Sequence, residues 1–262
     1  YNASESFDFD LDIHLYENVD FVKKQLESAN FDELFNPSAY LVFTTNDEKK
    51  GYENTGYVGE WIISRLVKND IDASWLRFKG HDKKIYDSFE FEKEGYLITL
   101  IAIGYGQKES SLTKLIKNKY RDSLKKLTDM GYSDSLKKKN ESSLIYQLNI
   151  REFVFYKKFG KKIRDNVLKQ SGLLRVFQEL HFAPTITYKQ LWRVLVDDGK
   201  IFVMVINHEK IAKIETGIIK FYLKEALTNN GIRSSWEPIE NIENKEKYNF
   251  PENVFVTGYF KY

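Results

Sequence analysis

Four histidines, His14, His81, His181 and His208, lie far apart with no HExxH or similar spacing, so a metal site is not expected. The chain has no cysteine, which excludes disulfides, a thiolate zinc site and a cysteine nucleophile. With no cysteine, any redox chemistry has to come from a bound cofactor, and such chemistry needs no triad or carboxylate pair. The residues that invite attention lie in one stretch, Ala183-Pro-Thr-Ile-Thr-Tyr-Lys-Gln-Leu-Trp192. The Thr185 hydroxyl and the Gln190 amide can each form hydrogen bonds to a ligand, and the Tyr188 ring can stack on a planar one. Plainer roles stay open: Thr185 capping the next helix, Gln190 at the surface, Tyr188 filling a pocket and Trp192 in the core.

The elements that must position this stretch follow from patterning. Tyr40–Thr44, Leu97–Ile103, Ile201–Ile206 and Asn253–Tyr259 are short, apolar segments that read as strands. Residues 10–35, 56–69, 161–181 and 217–229 read as helices. Two of these, 56–69 and 217–229, are apolar around most of their circumference, as buried helices are. Between 114 and 143 the chain holds nine Lys or Arg against four Asp or Glu. That run reads either as an anion-binding segment or as a solvated connector, and the connector is favoured.

The 262 residues are 42% hydrophobic and 15% aromatic, with a formal net charge of +2. This composition supports a sizeable core and argues against disorder. The charge is too small to imply nucleic acid or an acidic membrane as partner, and the basic and aromatic residues show no arrangement typical of an RNA-binding module. No apolar run approaches the ~20 residues of a membrane helix. No signal peptide is visible, so a cytoplasmic location is the default.

An internal repeat organises the chain. An offset of 161 aligns residues 40–75 with 201–236 without a gap, pairing among others Val42 with Val203, Thr55 with Thr216, Gly56 with Gly217, Leu66 with Leu227 and Trp75 with Trp236. Gly104-Tyr105 and Gly258-Tyr259 close the two units at a slightly different offset. Such a duplication can keep the two-fold interface of a homodimer inside one chain. The expected organisation is a first half over 1–113, a basic connector over 114–143 and a second half over 144–262, with the two apolar helices at the centre.

Ala183-Pro-Thr-Ile-Thr-Tyr-Lys-Gln-Leu-Trp192 resembles the APSxxNxQPW segment of the flavin nitroreductases. Gly56-Tyr-Val-Gly-Glu-Trp-Ile-Ile63 and Ile71-Asp-Ala-Ser-Trp75 resemble that family's GxxGExII helix and its GLGTCW ending. Ile101-Ala-Ile-Gly-Tyr-Gly106 resembles its IxxGYP strand ending. The order of the motifs is similar to a single-chain branch with two nitroreductase-like halves. The implied fold is α+β, with antiparallel-rich sheets, buried central helices and a monomeric pseudo-dimer.

The resemblance further implies FMN held between the halves. Thr185 stands at the family's Ser and Gln190 at its Gln, while Tyr188 replaces its Asn and Leu191 its Pro. Ser74, Trp75 and the backbone amides of Leu76 and Arg77 would face the ring. The family's N-terminal Arg-Arg-Ser-x-Arg stretch would hold the phosphate and ribityl chain. Here Ser4 and Ser6-Phe7-Asp8 remain, but Asn2 and Glu5 fall where arginines would be, so Lys119 and Arg121 of the connector are candidate replacements. Residues 22–31, at the same offset in the first half, have nothing like the second-half loop, so one composite site is expected. The implied activity is hydride transfer from NADH or NADPH through FMN to a nitroaromatic, quinone or similar small aromatic acceptor. The alternative is a degenerate member of the fold that binds another ligand or a protein partner.

Overall fold

The computed structural model describes residues 11–26, 37–47, 50–76, 83–92, 95–105, 148–186, 190–206, 210–239 and 245–262. The first part runs β1 (Asp12–Tyr16), α1 (Val19–Leu26), β2 (Ala39–Thr45), α2 (Gly51–Lys68), β3 (Asp72–Leu76), α3 (Lys83–Ser88) and β4 (Tyr96–Gly104). The second runs α4 (Ile150–Phe153), β5 (Val154–Tyr156), β6 (Lys158–Lys162), α5 (Asp165–Gln170), α6 (Leu174–Leu180), β7 (Trp192–Asp197), β8 (Lys200–Ile206), α7 (Lys210–Asn229), β9 (Ser235–Pro238), α8 (Lys245–Tyr248) and β10 (Val254–Lys261).

The strands form two sheets, one in the order β1-β2-β4-β3 and one in the order β6-β5-β7-β8-β10-β9. Every pairing is antiparallel except β5 with β7. β2, β4 and β3 in the first sheet therefore follow the same order as β8, β10 and β9 in the second, each with a long helix after its leading strand.

Those helices, α2 and α7, pack on each other at two glycines. A Cβ on Gly56 would lie 2.0 Å from the Ile214 carbonyl oxygen, and one on Gly217 would lie 1.9 Å from that of Glu53. Gly217 and Ile214 are the residues 161 positions beyond Gly56 and Glu53, so each glycine faces the carbonyl at the matching position of the other helix. Main chain meets main chain there, which only glycine permits. Three elements differ from the sequence expectation. The helix expected over 10–35 begins as strand β1, where alternating half-buried residues line one face. The helix expected over 161–181 is strand to Lys162, then two short helices separated at Gly172, whose φ of +73° ends the first. Helix α2 is not buried throughout, since Trp61 is 48% and Val67 55% exposed.

The first sheet has apolar contacts on both faces. Val42, Leu76, Leu100 and Ala102 pack with Val22, Leu26, Ile85 and Phe89 on one. Phe43, Ile98 and Ile101 pack with Ile214 and Ile218 of α7 on the other. The larger core of the second part gathers Phe153, Phe177, Trp192, Val203 and Leu223.

Candidate functional site

The segment 183–191 follows α6, which ends at Leu180, and enters β7 at Trp192. Ile186 is its anchor. This side chain is buried in the same apolar cluster as Phe43, Ile98 and Ile101 of the first sheet, a burial that contributes about 2 kcal/mol. Ala73 and Trp75 of β3 pack against that cluster too. Ile186 of the loop and Trp75 of β3, 111 residues apart in sequence, are thus brought to one place.

The polar groups of the loop are held from within. The Thr185 hydroxyl donates to Glu215 Oε1 in a short hydrogen bond. The Leu191 amide donates to Glu215 Oε2 at 3.0 Å. Gln190 sits at φ +45° and is buried. Its Oε1 accepts from the Leu148 amide at 2.6 Å, and its backbone carbonyl accepts from Arg193 Nη1 at 2.6 Å. The His181 Nδ1 lies 2.8 Å from the Leu148 carbonyl. A carbonyl only accepts, so this nitrogen carries the proton. Burial lowers the His181 pKa below the ordinary histidine value, with the bond to Leu148 opposing it. Two buried donors, Gln190 Nε2 and Trp192 Nε1, have no partner.

Across the cluster, Trp75 Nε1 donates to Glu60 Oε1 at 2.6 Å, and the Tyr222 hydroxyl donates to Glu60 Oε2 at 3.0 Å. Glu60 of α2 therefore ties β3 to α7. It is only 1% exposed. Burial pushes its pKa up, and the two hydrogen bonds pull against that shift. Burial, followed by the charge and hydrogen bond of Glu60, pushes the Tyr222 hydroxyl up as well. The indole of Trp75 has room only because the residue under it is Gly59, where a Cβ would lie 2.1 Å from the ring.

The other residues singled out in the sequence fall elsewhere. Leu76 is buried on the opposite face of the first sheet, and its carbonyl accepts from Thr99 Oγ1. Ser74 shares that face by strand alternation. β3 runs on through Leu76, which pairs with Leu100, so no turn begins directly after Trp75. Ser4, Arg77, Lys119, Arg121 and Tyr188 lie outside the described residues. Trp192 is core, packed edge-on to Phe153 with centroids 4.9 Å apart. Two cavities of about 320 and 350 Å³ lie away from the loop, one at the end of α7 and one between β1 and the turn after α3.

Glu215 and Tyr222 were not legible as site residues, although an acid in the buried apolar stretch of α7 was the available signal for Glu215. Among the described residues no group of three or more His, Cys, Asp or Glu could hold a metal, and no helix is long and apolar enough to cross a membrane.

The family model described as "Putative TM nitroreductase" matches residues 4–227. The chain belongs to this nitroreductase family. Among solved structures it is similar to a "putative nitroreductase" from Thermotoga maritima, at 11% identity and a TM-score of 0.48 over 89% of this chain and 75% of that one. A nitroreductase family protein from Clostridium difficile matches at 13% identity and 0.32 over 38% and 63% of the two chains. A "Putative NADH Oxidase" from Clostridium acetobutylicum matches at 15% identity and 0.32 over 38% and 66%. No curated protein matches the chain. The nitroreductase match reaches through the loop at 183–191 and α7 almost to its end, so both sides of the Ile186 contact fall within it.

Proposed function

We propose that this protein is a cytoplasmic FMN-dependent oxidoreductase of the nitroreductase type, with both halves of a nitroreductase dimer fused in one chain. In this reading residues 1–113 and 144–262 are the halves and 114–143 joins them. The observation that carries it is the burial of Ile186, from the second-half loop, in the apolar face of the first-half sheet. A composite slot needs that approach.

One feature of the described residues supports a flavin ring here, a buried donor without a partner. An isoalloxazine offers apolar faces and a polar edge with acceptor oxygens. The unpartnered Gln190 Nε2 is a buried donor in need of an acceptor. Trp75 and Ile186, which pack in one apolar cluster, would supply apolar surface beside the ring. Ser4, Lys119 and Arg121 are proposed to meet the ribityl chain and phosphate. Bound FMN would supply the hydride chemistry, from NADH or NADPH to a nitroaromatic, quinone or related acceptor. The chain would supply orientation and dryness.

A second reading keeps the fold and drops the flavin. It is favoured by the internal use of two expected contacts: the Thr185 hydroxyl on Glu215 and the Trp75 N–H on Glu60. A visible spectrum separates the two. Purified protein titrated with FMN should turn yellow and quench flavin fluorescence, and then oxidise NADH or NADPH when a quinone is added. Gln190→Ala should weaken FMN affinity about tenfold and also lower the thermal melt, because it strands the buried Leu148 amide. A protein that stays colourless at saturating FMN supports the second reading.

A further inference from the structure

We infer that the cavity between β1 and the turn after α3 binds a small organic ammonium ion, an amine that is cationic at neutral pH and carried on an apolar body. The cavity belongs to the face of the first sheet opposite the one on which Ile186 packs. It stands or falls independently of the flavin reading.

The space has a topological cause. In both sheets a short helix leads into one left-handed residue, Glu90 at φ +55° after α3 and Asn249 at φ +52° after α8. An aromatic ring stands on either side of that residue, Phe89 and Phe91 in the first case, Tyr248 and Phe250 in the second. The second sheet continues past β7 into β5 and β6. Phe159 of β6 thereby brings its ring to 6.4 Å from that of Phe250. The first sheet ends at β1. Beside Phe91 a cavity of about 350 Å³ is left instead, at the small end of the range for small-molecule sites.

The walls decide which ligand suits the space. Tyr16, Tyr86 and Phe91 line it with rings. Phe91 is held between neighbours, its centroid 4.5 Å from that of His14 and 4.8 Å from that of Tyr86. The His14 Nε2 in turn lies 3.1 Å from the hydroxyl of Thr44, a buried residue of β2. Asp12, Glu90 and Glu92 add three carboxylates, and no described lysine or arginine lines the cavity. Glu90 and Glu92 are exposed, so a ligand meets them on its way in from solvent. Among the described residues neither forms an ion pair. Ring faces carry negative partial charge. Rings and carboxylates therefore act with the same sign, and both favour a cation. A metal ion is the wrong kind. It needs several oxygen ligands at once, and no described group of three or more His, Cys, Asp or Glu could hold one. An ammonium on a carbon body lays its apolar part on the rings and leaves its charge for the glutamates.

The test is an NMR titration with benzylamine, which is cationic at neutral pH, against benzyl alcohol, a neutral molecule of nearly the same size. The proteins are the wild type, the Glu90→Gln/Glu92→Gln double variant and Phe91→Leu, each checked by its thermal melt. Wild type should show saturable benzylamine shifts centred on 12–16 and 86–92, and bind benzyl alcohol at least about tenfold more weakly. The double variant changes two exposed side chains and should melt as wild type. It should bind benzylamine about tenfold more weakly and lose the discrimination between the two probes. Phe91→Leu keeps an apolar side chain but removes a ring face, and should weaken benzylamine about fivefold. If Phe91→Leu unfolds, the double variant decides alone. Raised salt should weaken benzylamine and leave benzyl alcohol unchanged. No saturation by about 10 mM, where a millimolar site is largely filled, overturns the assignment. Shifts centred elsewhere, equal affinity for the two probes, or wild-type affinity in the double variant overturn it as well.

Discussion

The segments around α2 and around α7 share a frame and differ in what fills it. Both helices end in the same turn. The Ile71 amide donates to the Leu66 carbonyl at 3.0 Å, and the Ile232 amide to that of Leu227 at 2.9 Å. Each turn has one left-handed residue, Asp70 at φ +59° and Gly231 at φ +72°. Each is followed by a strand with a tryptophan, Trp75 or Trp236. Under Trp75 lies Gly59, so the indole rests on the helix backbone and reaches Glu60. At the corresponding place under Trp236 lies Lys220, with Nζ 4.3 Å from the ring centroid and 3.1 Å from Glu53 across the crossing. Backbone geometry is repeated while electrostatics is not. On one side a carboxyl is met by an indole N–H and a tyrosine hydroxyl, and on the other an ion pair joins the two helices.

The comparison can be broken at its centre first. Gly56→Ala and Gly217→Ala should each cost about 4 kcal/mol or more, because the new methyl meets a carbonyl that cannot move aside. Urea titrations that find one of them near neutral would show that the two close approaches are not equivalent. Lys220→Met comes next, at about 3 kcal/mol, since it strands the Glu53 carboxylate with little water. Added salt should leave that loss nearly unchanged, as a rim ion pair would not.

Gly59→Ala should cost about 2 kcal/mol and shift tryptophan emission, because the Trp75 ring must lift away from Glu60. An unaltered spectrum would show that the indole does not need the glycine. Glu60→Gln then tests the buried carboxyl. Its folded pKa is raised, so between the unfolded and folded values the native state holds more protons. Stability is therefore lost as pH rises through that window. Measured as melting temperatures from about pH 4 to about pH 8, the wild type should decline relative to Glu60→Gln. A constant difference would mean Glu60 is not perturbed. The smallest effect expected is at Asp70→Gly, a gain of about 0.5–1 kcal/mol from relieving a left-handed aspartate. The same turn already holds glycine at 231, so no gain there would mean the two turns are not equivalent.

Much of this frame could be read before any coordinates. The strands at 39–45, 96–104, 200–206 and 254–261 are apolar on both faces, which makes them conspicuous in sequence. The two central helices were visible through their apolar circumference. β1 was not, because an edge strand with half-buried alternation, Asp12 to Tyr16, is as compatible with a helical mixture of charge and leucine. β7 was obscured by its place directly after the loop that drew attention. The loop itself stood out through residue types, whereas its anchors did not. Glu60 stood out as the helix glutamate of the GxxGExII resemblance, but its partners 15 and 162 residues away, like those of Glu215 at 24 and 30, follow no local pattern. Lys220 is another case, since a lysine inside an apolar helix gives no sign that it faces Trp236.

Glu53 meets Lys220, and no ion pair is possible between their counterparts Ile214 and Gly59. In an assembly of identical subunits a substitution beside the axis is made on both sides at once, and a lysine favourable on one face would be forced onto the other. A covalently continuous pair of helices escapes that constraint. Here the corresponding positions differ, so one side carries an ion pair that the other cannot form.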